Sequence, residues 1–169
     1  LCNPHNPIGK IWSQETLKRI GDLCARHHVL VVSDEIHCDI IAPGREYIPF
    51  ASVSKTNLNN SITCIAPTRA FNLAGLQSAC IVVENEVIRQ KVNRGINTDE
   101  VAEPNSFAIT AAMSAFNHGE KWLDELNIYI QNNKQIACQY IEENLPMLHV
   151  VYSEATYLLW IDCSKVTDD

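Results

Sequence analysis

Positive charge is scarce in this chain of 169 residues: 13 Lys and Arg stand against 20 Asp and Glu, a formal net charge of −7. Binding to nucleic acid draws on basic patches that displace counterions from phosphates, and no such patch, and no basic–aromatic interleaving, is present. Long apolar runs are missing too. None approaches the roughly 18–20 residues of a membrane helix, so no membrane partner is expected. No signal peptide, internal repeat or low-complexity stretch is visible. There are seven cysteines (Cys2, Cys24, Cys38, Cys64, Cys80, Cys138 and Cys163), but none is spaced as CxxC. That removes the commonest zinc and thioredoxin patterns. Most sit in apolar runs such as Leu23-Cys24-Ala25 and Ala79-Cys80-Ile81, and they read as reduced core thiols of a cytoplasmic protein. His5, His118 and His149 have no cluster partners, so no metal site is expected.

What is present is the alternation of an α/β protein. Leu1-Cys2 reads as the tail of a buried strand, and residues 3–9 as loop. Ser13 is a suitable N-cap with Glu15 in the first turn, and the helix runs to about His27, with Leu17, Ile20, Leu23 and Cys24 at helical spacing. His27 and His28 end it, on the side that the helix dipole favours for cations. Residues 29–32 form a continuous apolar run, which suits a strand buried on both faces in a parallel sheet. Residues 62–65 and 79–83 read as further strands. From Glu86 the pattern is helical: about 86–97, then from near Pro104 to about His118 with Phe107, Ala111, Ala112 and Ala115 on its packing face, then about 120–144. Pro146 stops the last helix, and strands near 148–152 and 157–162 follow. A boundary near residue 120 divides the chain into residues 1–120 and 121–169.

Polar clusters punctuate the strand ends, where ligands bind in open α/β sheets. They are Asn3-Pro4-His5-Asn6-Pro7-Ile8-Gly9-Lys10, Ser33-Asp34-Glu35-Ile36-His37, and Ala66-Pro67-Thr68-Arg69-Ala70-Phe71-Asn72-Leu73-Ala74-Gly75-Leu76. Taken singly each has an ordinary explanation: Asn6 as a turn residue before Pro7, Asp34 as a loop acid or cap, His37 as a half-buried histidine. In this order and spacing they resemble the cofactor pocket of the fold-type I pyridoxal-phosphate (PLP) aminotransferases, and within them the cystathionine β-lyase and C–S lyase branch. Pro104-Asn105-Ser106-Phe107-Ala108, Gly119-Glu120-Lys121-Trp122-Leu123-Asp124, Tyr129-Ile130-Gln131-Asn132-Asn133 and Ala155-Thr156-Tyr157-Leu158-Leu159-Trp160 are similar to the same branch, so the resemblance spans essentially the whole chain.

The resemblance implies the later part of an aspartate aminotransferase-like large domain in residues 1–120, with a mostly parallel sheet and flanking helices. It implies the start of a small α+β domain in residues 121–169. It also implies PLP as cofactor, an amino-acid substrate and a homodimer. By the same resemblance Asp34 would hold the proton on the pyridine nitrogen, Asn6 would donate to the phenolic oxygen, His37 would lie beside that oxygen, and Thr68 would supply a hydroxyl to the phosphate. The chain begins within a strand end and without an initiator Met, so an internal piece of a longer protein is expected. The resemblance puts the substrate-carboxylate arginine beyond Asp169, and the phosphate-binding glycine loop and ring-stacking aromatic before Leu1.

Arg69 departs from the pattern, because the family has there the lysine that carries the cofactor as an imine. A guanidinium stays protonated, with a pKa above about 12, and can neither form that bond nor readily serve as a general base. Lys10 and Lys55 do not match the motif position. Ile8 and Ala66 also depart, each where the family usually offers a hydroxyl. Three readings remain open: a PLP-dependent C–S β-lyase releasing thiol, pyruvate and ammonia, with activity impaired by Arg69; a class I/II aminotransferase; or an inactive remnant that keeps the fold and at most binds PLP non-covalently. A generic α/β binding domain with chance matches is the weakest alternative. Exposed apolar faces and self-association are expected from the helices after residue 86.

Overall fold

Ser13 starts the first helix as its hydroxyl suggests. In the computed structural model, which describes residues 1–167, Ser13 Oγ accepts from the Thr16 N–H at 3.2 Å and α1 covers Gln14–Arg26. Leu17 is buried with Val31 and Phe50, and Ile20 and Cys24 pack beside them. Leu23, expected on the same face, is instead 41% exposed. At about 100° per residue Cys24 returns to within about 20° of Leu17, whereas Leu23 stands about 120° away. Its phase, not its chemistry, turns it outward. A short helix, α2 (Lys55–Asn59), packs on α1 at Gly21, where any Cβ would collide with the Asn57 side chain. Asn57 Nδ2 donates to the Leu17 carbonyl at 3.0 Å.

The strand β1 (Val31–Asp34) runs parallel to β2 (Ser61–Ile65), with Asp34 opposite Cys64. On the other edge of β1, Cys2 bridges Asp34 in parallel, and the Asp34 N–H donates to the Leu1 carbonyl at 2.8 Å. The last strand of this sheet, β3 (Cys80–Val82), pairs antiparallel with β2. The α/β class holds, with one antiparallel edge on an otherwise parallel sheet. The burial of residues 29–32 on both faces does not hold. Val31 and Ser33 are buried on the side of α1, but Val32 is 50% exposed, and Val29 and Leu30 are exposed too. Only one face of β1 is fully covered among the described residues, and side chains alternate across a strand.

After β2 the chain makes a single helical turn, α3 (Pro67–Ala70), with Pro67 at its start. Asn85 Oδ1 caps α4 (Glu86–Thr98), accepting from the Val87 and Ile88 N–H groups at 3.0 and 3.2 Å. The next helix, α5 (Ala108–His118), begins later than Pro104, because Asn105 Oδ1 accepts from the Phe107 N–H at 3.0 Å and holds an Asx turn there. Phe107 consequently precedes the helix and is 73% exposed rather than packed. The longest helix, α6 (Glu120–Asn144), ends two residues before Pro146. Phe71, just beyond α3, stacks on Trp122 of α6 at 5.7 Å and meets Phe116 of α5 edge-on at 5.9 Å between centroids. Gly119 leaves room for that ring. The pair β4 (His149–Val151) and β5 (Trp160–Asp162) closes the fold as an antiparallel ladder. No helix is long and apolar enough to cross a membrane among the described residues.

Candidate functional site

The candidate residues come from three segments that follow the C-terminal ends of neighbouring parallel strands. Asp34 is the last residue of β1, flanked by Cys2 and Cys64. Its side chain is exposed rather than buried, and Oδ1 accepts from the Ile36 N–H at 3.3 Å. His37 lies in the following turn. It is 5% exposed, its Nδ1 has no hydrogen-bond partner among the described residues, and its ring meets Tyr157 edge-on at 5.5 Å between centroids. Burial lowers the His37 pKa from its ordinary value, the nearby Arg69 guanidinium lowers it further, and the Asp34 carboxylate opposes both. Asp34 and Arg69 are therefore each within electrostatic reach of His37.

Arg69 is exposed in α3 and makes no salt bridge or hydrogen bond among the described residues. Thr68 is half-buried, and its carbonyl accepts from the Leu73 N–H at 3.1 Å while its hydroxyl has no hydrogen-bond partner among the described residues. Asn6 sits exposed at the tip of a loop closed by a bridge between His5 and Lys10. No hydrogen bond joins any two of Asn6, Asp34, His37, Thr68 and Arg69. These side chains do not satisfy one another, and the one that is buried, His37, leaves an Nδ1 atom without a partner among the described residues, which is uncommon in folded proteins.

Glu35 supports this cluster and was not among the residues singled out from the sequence. It is 1% exposed. Its carboxylate accepts from Ser33 Oγ at 2.7 Å, the Phe50 N–H at 3.0 Å, Asn3 Nδ2 at 3.4 Å and the Tyr47 hydroxyl. Burial raises its pKa, and the Ser33, Phe50 and Asn3 hydrogen bonds oppose that shift. The signal was available: Val31, Ser33 and Glu35 alternate onto the covered face of the strand. Cys38, beside it, has its thiol pKa pushed up to about 12, mainly by burial and then by Asp39 and Glu35. It is a packed thiol and not a nucleophile at neutral pH. Tyr157, in the Ala155–Trp160 stretch, packs its ring edge-on against His37. No cluster of metal-ligating side chains is found among the described residues.

The sequence matches the family model for aminotransferase class I and II over residues 1–169. It is 42% identical over 164 residues to cystathionine beta-lyase PatB of Bacillus subtilis (strain 168), covering 97% of this chain and 42% of that protein. It is 32% identical over 170 residues to protein MalY of Escherichia coli (strain K12), covering 100% of this chain and 43% of that one. Among solved structures, cystalysin from Treponema denticola, which contains a pyridoxal 5'-phosphate cofactor, superposes with a TM-score of 0.91 at 32% identity, over 95% of this chain and 41% of that chain. The PLP-bound C–S lyase from Staphylococcus hominis gives a TM-score of 0.88 at 36% identity, over 96% and 40%. The chain thus spans about two fifths of the length of these relatives. With the family model matched from end to end and the strand-end cluster in the same fold, the chain belongs to the aminotransferase class I and II family.

Proposed function

We propose that this chain forms one wall of a PLP pocket of the C–S β-lyase type, and that Arg69 leaves the cofactor held without a covalent link. The observation that carries the reading is the grouping of Asp34, His37 and Arg69, each with unused polar capacity, at the end of parallel strands. PLP fits this donor set in charge. The free Asp34 carboxylate suits a protonated pyridine nitrogen, the Thr68 hydroxyl and Arg69 guanidinium suit a phosphate, and the orphaned His37 Nδ1 and the Asn6 amide suit a phenolic oxygen. The residues do not fit a covalent attachment, since a guanidinium does not lose its proton to become a nucleophile.

When bound, the cofactor supplies an electron-accepting ring that stabilises negative charge at the substrate Cα. The protein's part is then local. Asp34 keeps a proton on the ring nitrogen. Asn6 and His37 orient the ring through its phenolic oxygen. Arg69 and Thr68 anchor the phosphate end. Arg69 cannot take a proton from Cα, so turnover by this chain is impaired or absent. An amino-acid substrate, a homodimer, a cytoplasmic location and a division near residue 120 complete the reading. Exposed Ile109, Met113 and Phe116 on α5 support association, and the seven unpaired cysteines support a reducing compartment. A class I/II aminotransferase using the same residues is the second reading, favoured by the family description itself.

Equilibrium dialysis against PLP tests the proposal. The protein should retain PLP, and Asp34→Ala should weaken retention by about tenfold or more, the equivalent of one lost charge-assisted interaction. Equal retention by both proteins would remove Asp34 from the site and the reading with it.

A further inference from the structure

Lys134 lies on α6, far in sequence from every residue of the site, and is 8% exposed. Its Nζ donates to Ser153 Oγ at 2.9 Å and to the Ala155 carbonyl at 3.0 Å. No carboxylate pairs with it among the described residues. Burial lowers its pKa, and the nearby Cys138 opposes that. A buried amine without a counter-charge is costly, so its hydrogen bonds must secure something.

They secure residues 153–157, and those residues touch two parts of the site at once. On one side, the Glu154 and Ala155 N–H groups both donate to the Gly9 carbonyl, at 2.8 and 2.9 Å. Gly9, with φ +74, closes the loop that carries Asn6, and any Cβ there would overlap Ser153 Oγ and the Ala155 carbonyl. On the other side, the Thr156 N–H donates to the Ile40 carbonyl at 2.8 Å, the Ala42 N–H donates to the Glu154 carbonyl at 2.8 Å, and the Tyr157 ring covers His37. Thr156 holds φ 61, a left-handed conformation that a β-branched residue adopts only under constraint.

We propose that Lys134 is a positioning residue, which through the strap of residues 153–157 clamps the loop bearing Asn6 and the turn bearing His37 in one fixed relation. Lys134 itself touches neither Asn6 nor His37. The consequence for a ligand rests on the PLP reading above: both side chains are assigned to the same oxygen of the cofactor, so their separation is what the clamp fixes. The clamp itself is a property of the protein without ligand.

Two variants test it, Lys134→Met, which keeps the length and removes the donors, and the milder Ser153→Ala. The readout without cofactor is the NMR titration of His37, which Asp34, Arg69 and Tyr157 face. Release of the Tyr157 cover should raise the His37 midpoint by about half a pH unit or more in Lys134→Met, and by less in Ser153→Ala. With PLP, Lys134→Met should weaken retention by about tenfold, and adding Asn6→Ala to it should cost far less than Asn6→Ala alone. An unmoved His37 midpoint in the folded variants overturns the clamp, with Ser153→Ala deciding if Lys134→Met does not fold. A His37 shift in a protein that retains no PLP would uphold the clamp and refute the cofactor reading. PLP retention with His37 and affinity unchanged would do the reverse.

Discussion

Asp34 and Glu35 are consecutive carboxylates at the end of one strand, and the structure uses them in opposite ways. Glu35 turns to the covered face, where Ser33, Asn3, Tyr47 and the Phe50 N–H all donate to it. Asp34 turns to the open face, accepts one backbone N–H, and keeps the rest of its capacity free. The saturated carboxylate fixes where the strand end and the Phe50 segment go. The unsaturated one is the carboxylate we assign to the cofactor. A polar group's unspent hydrogen bonds, more than its burial, separate the two roles here.

The largest effects should come from exchanging those roles. Glu35→Ala leaves several buried donors without an acceptor and should cost about 3 kcal/mol or more in urea unfolding. Asp34→Ala should stay within about 0.5 kcal/mol of the parent, as exposed substitutions do, while it weakens PLP retention. Similar stability losses in both variants would erase the distinction.

His37 sharpens the comparison through pH. Its folded pKa lies below its ordinary value of 6.5, mainly through burial. Just below pH 6.5 the unfolded chain therefore takes up a proton that the folded protein refuses, and stability falls as pH drops through that window, until the lower folded pKa is passed. Glu35, with a raised pKa, acts the other way in the window above 4.5: stability is lost as pH rises. Unfolding midpoints between pH 7.5 and 5.5 should show the His37 slope, and His37→Gln should flatten it. A slope unchanged by that substitution would assign it to other groups. The smallest effect should be at Lys18 and Asp22, an exposed pair at 2.7 Å one helical turn apart. Asp22→Asn should change stability by less than about 0.5 kcal/mol, and in 1 M salt by still less.

Elements set by local chemistry were legible in the sequence. Ser13 announced its helix, helical patterning from Glu86 announced α4, and the motifs put Asp34 at the end of β1 and Arg69 just after β2, each within electrostatic reach of His37. What escaped depended on tertiary placement. Leu23 and Phe107 are apolar enough to suggest a core, but helix phase and an Asx turn put them outside it. Residues 29–32 read as doubly buried because an apolar run records composition and not what covers each face. Lys134 was invisible as a support because its partners, Ser153 and Ala155, lie 19 and 21 residues away in the chain, whereas strand alternation alone puts Glu35 on the covered face with Val31 and Ser33.

Arg69 carries the central claim, since it decides whether PLP is bound by charge alone or through a covalent bond. The most direct measurement is intact mass after incubation with PLP and reduction with borohydride, run beside Arg69→Lys. The parent protein should keep its mass unchanged, and Arg69→Lys should gain one pyridoxyl group mapped to the peptide containing residue 69. A pyridoxyl group trapped on a specific lysine of the parent protein would contradict non-covalent binding.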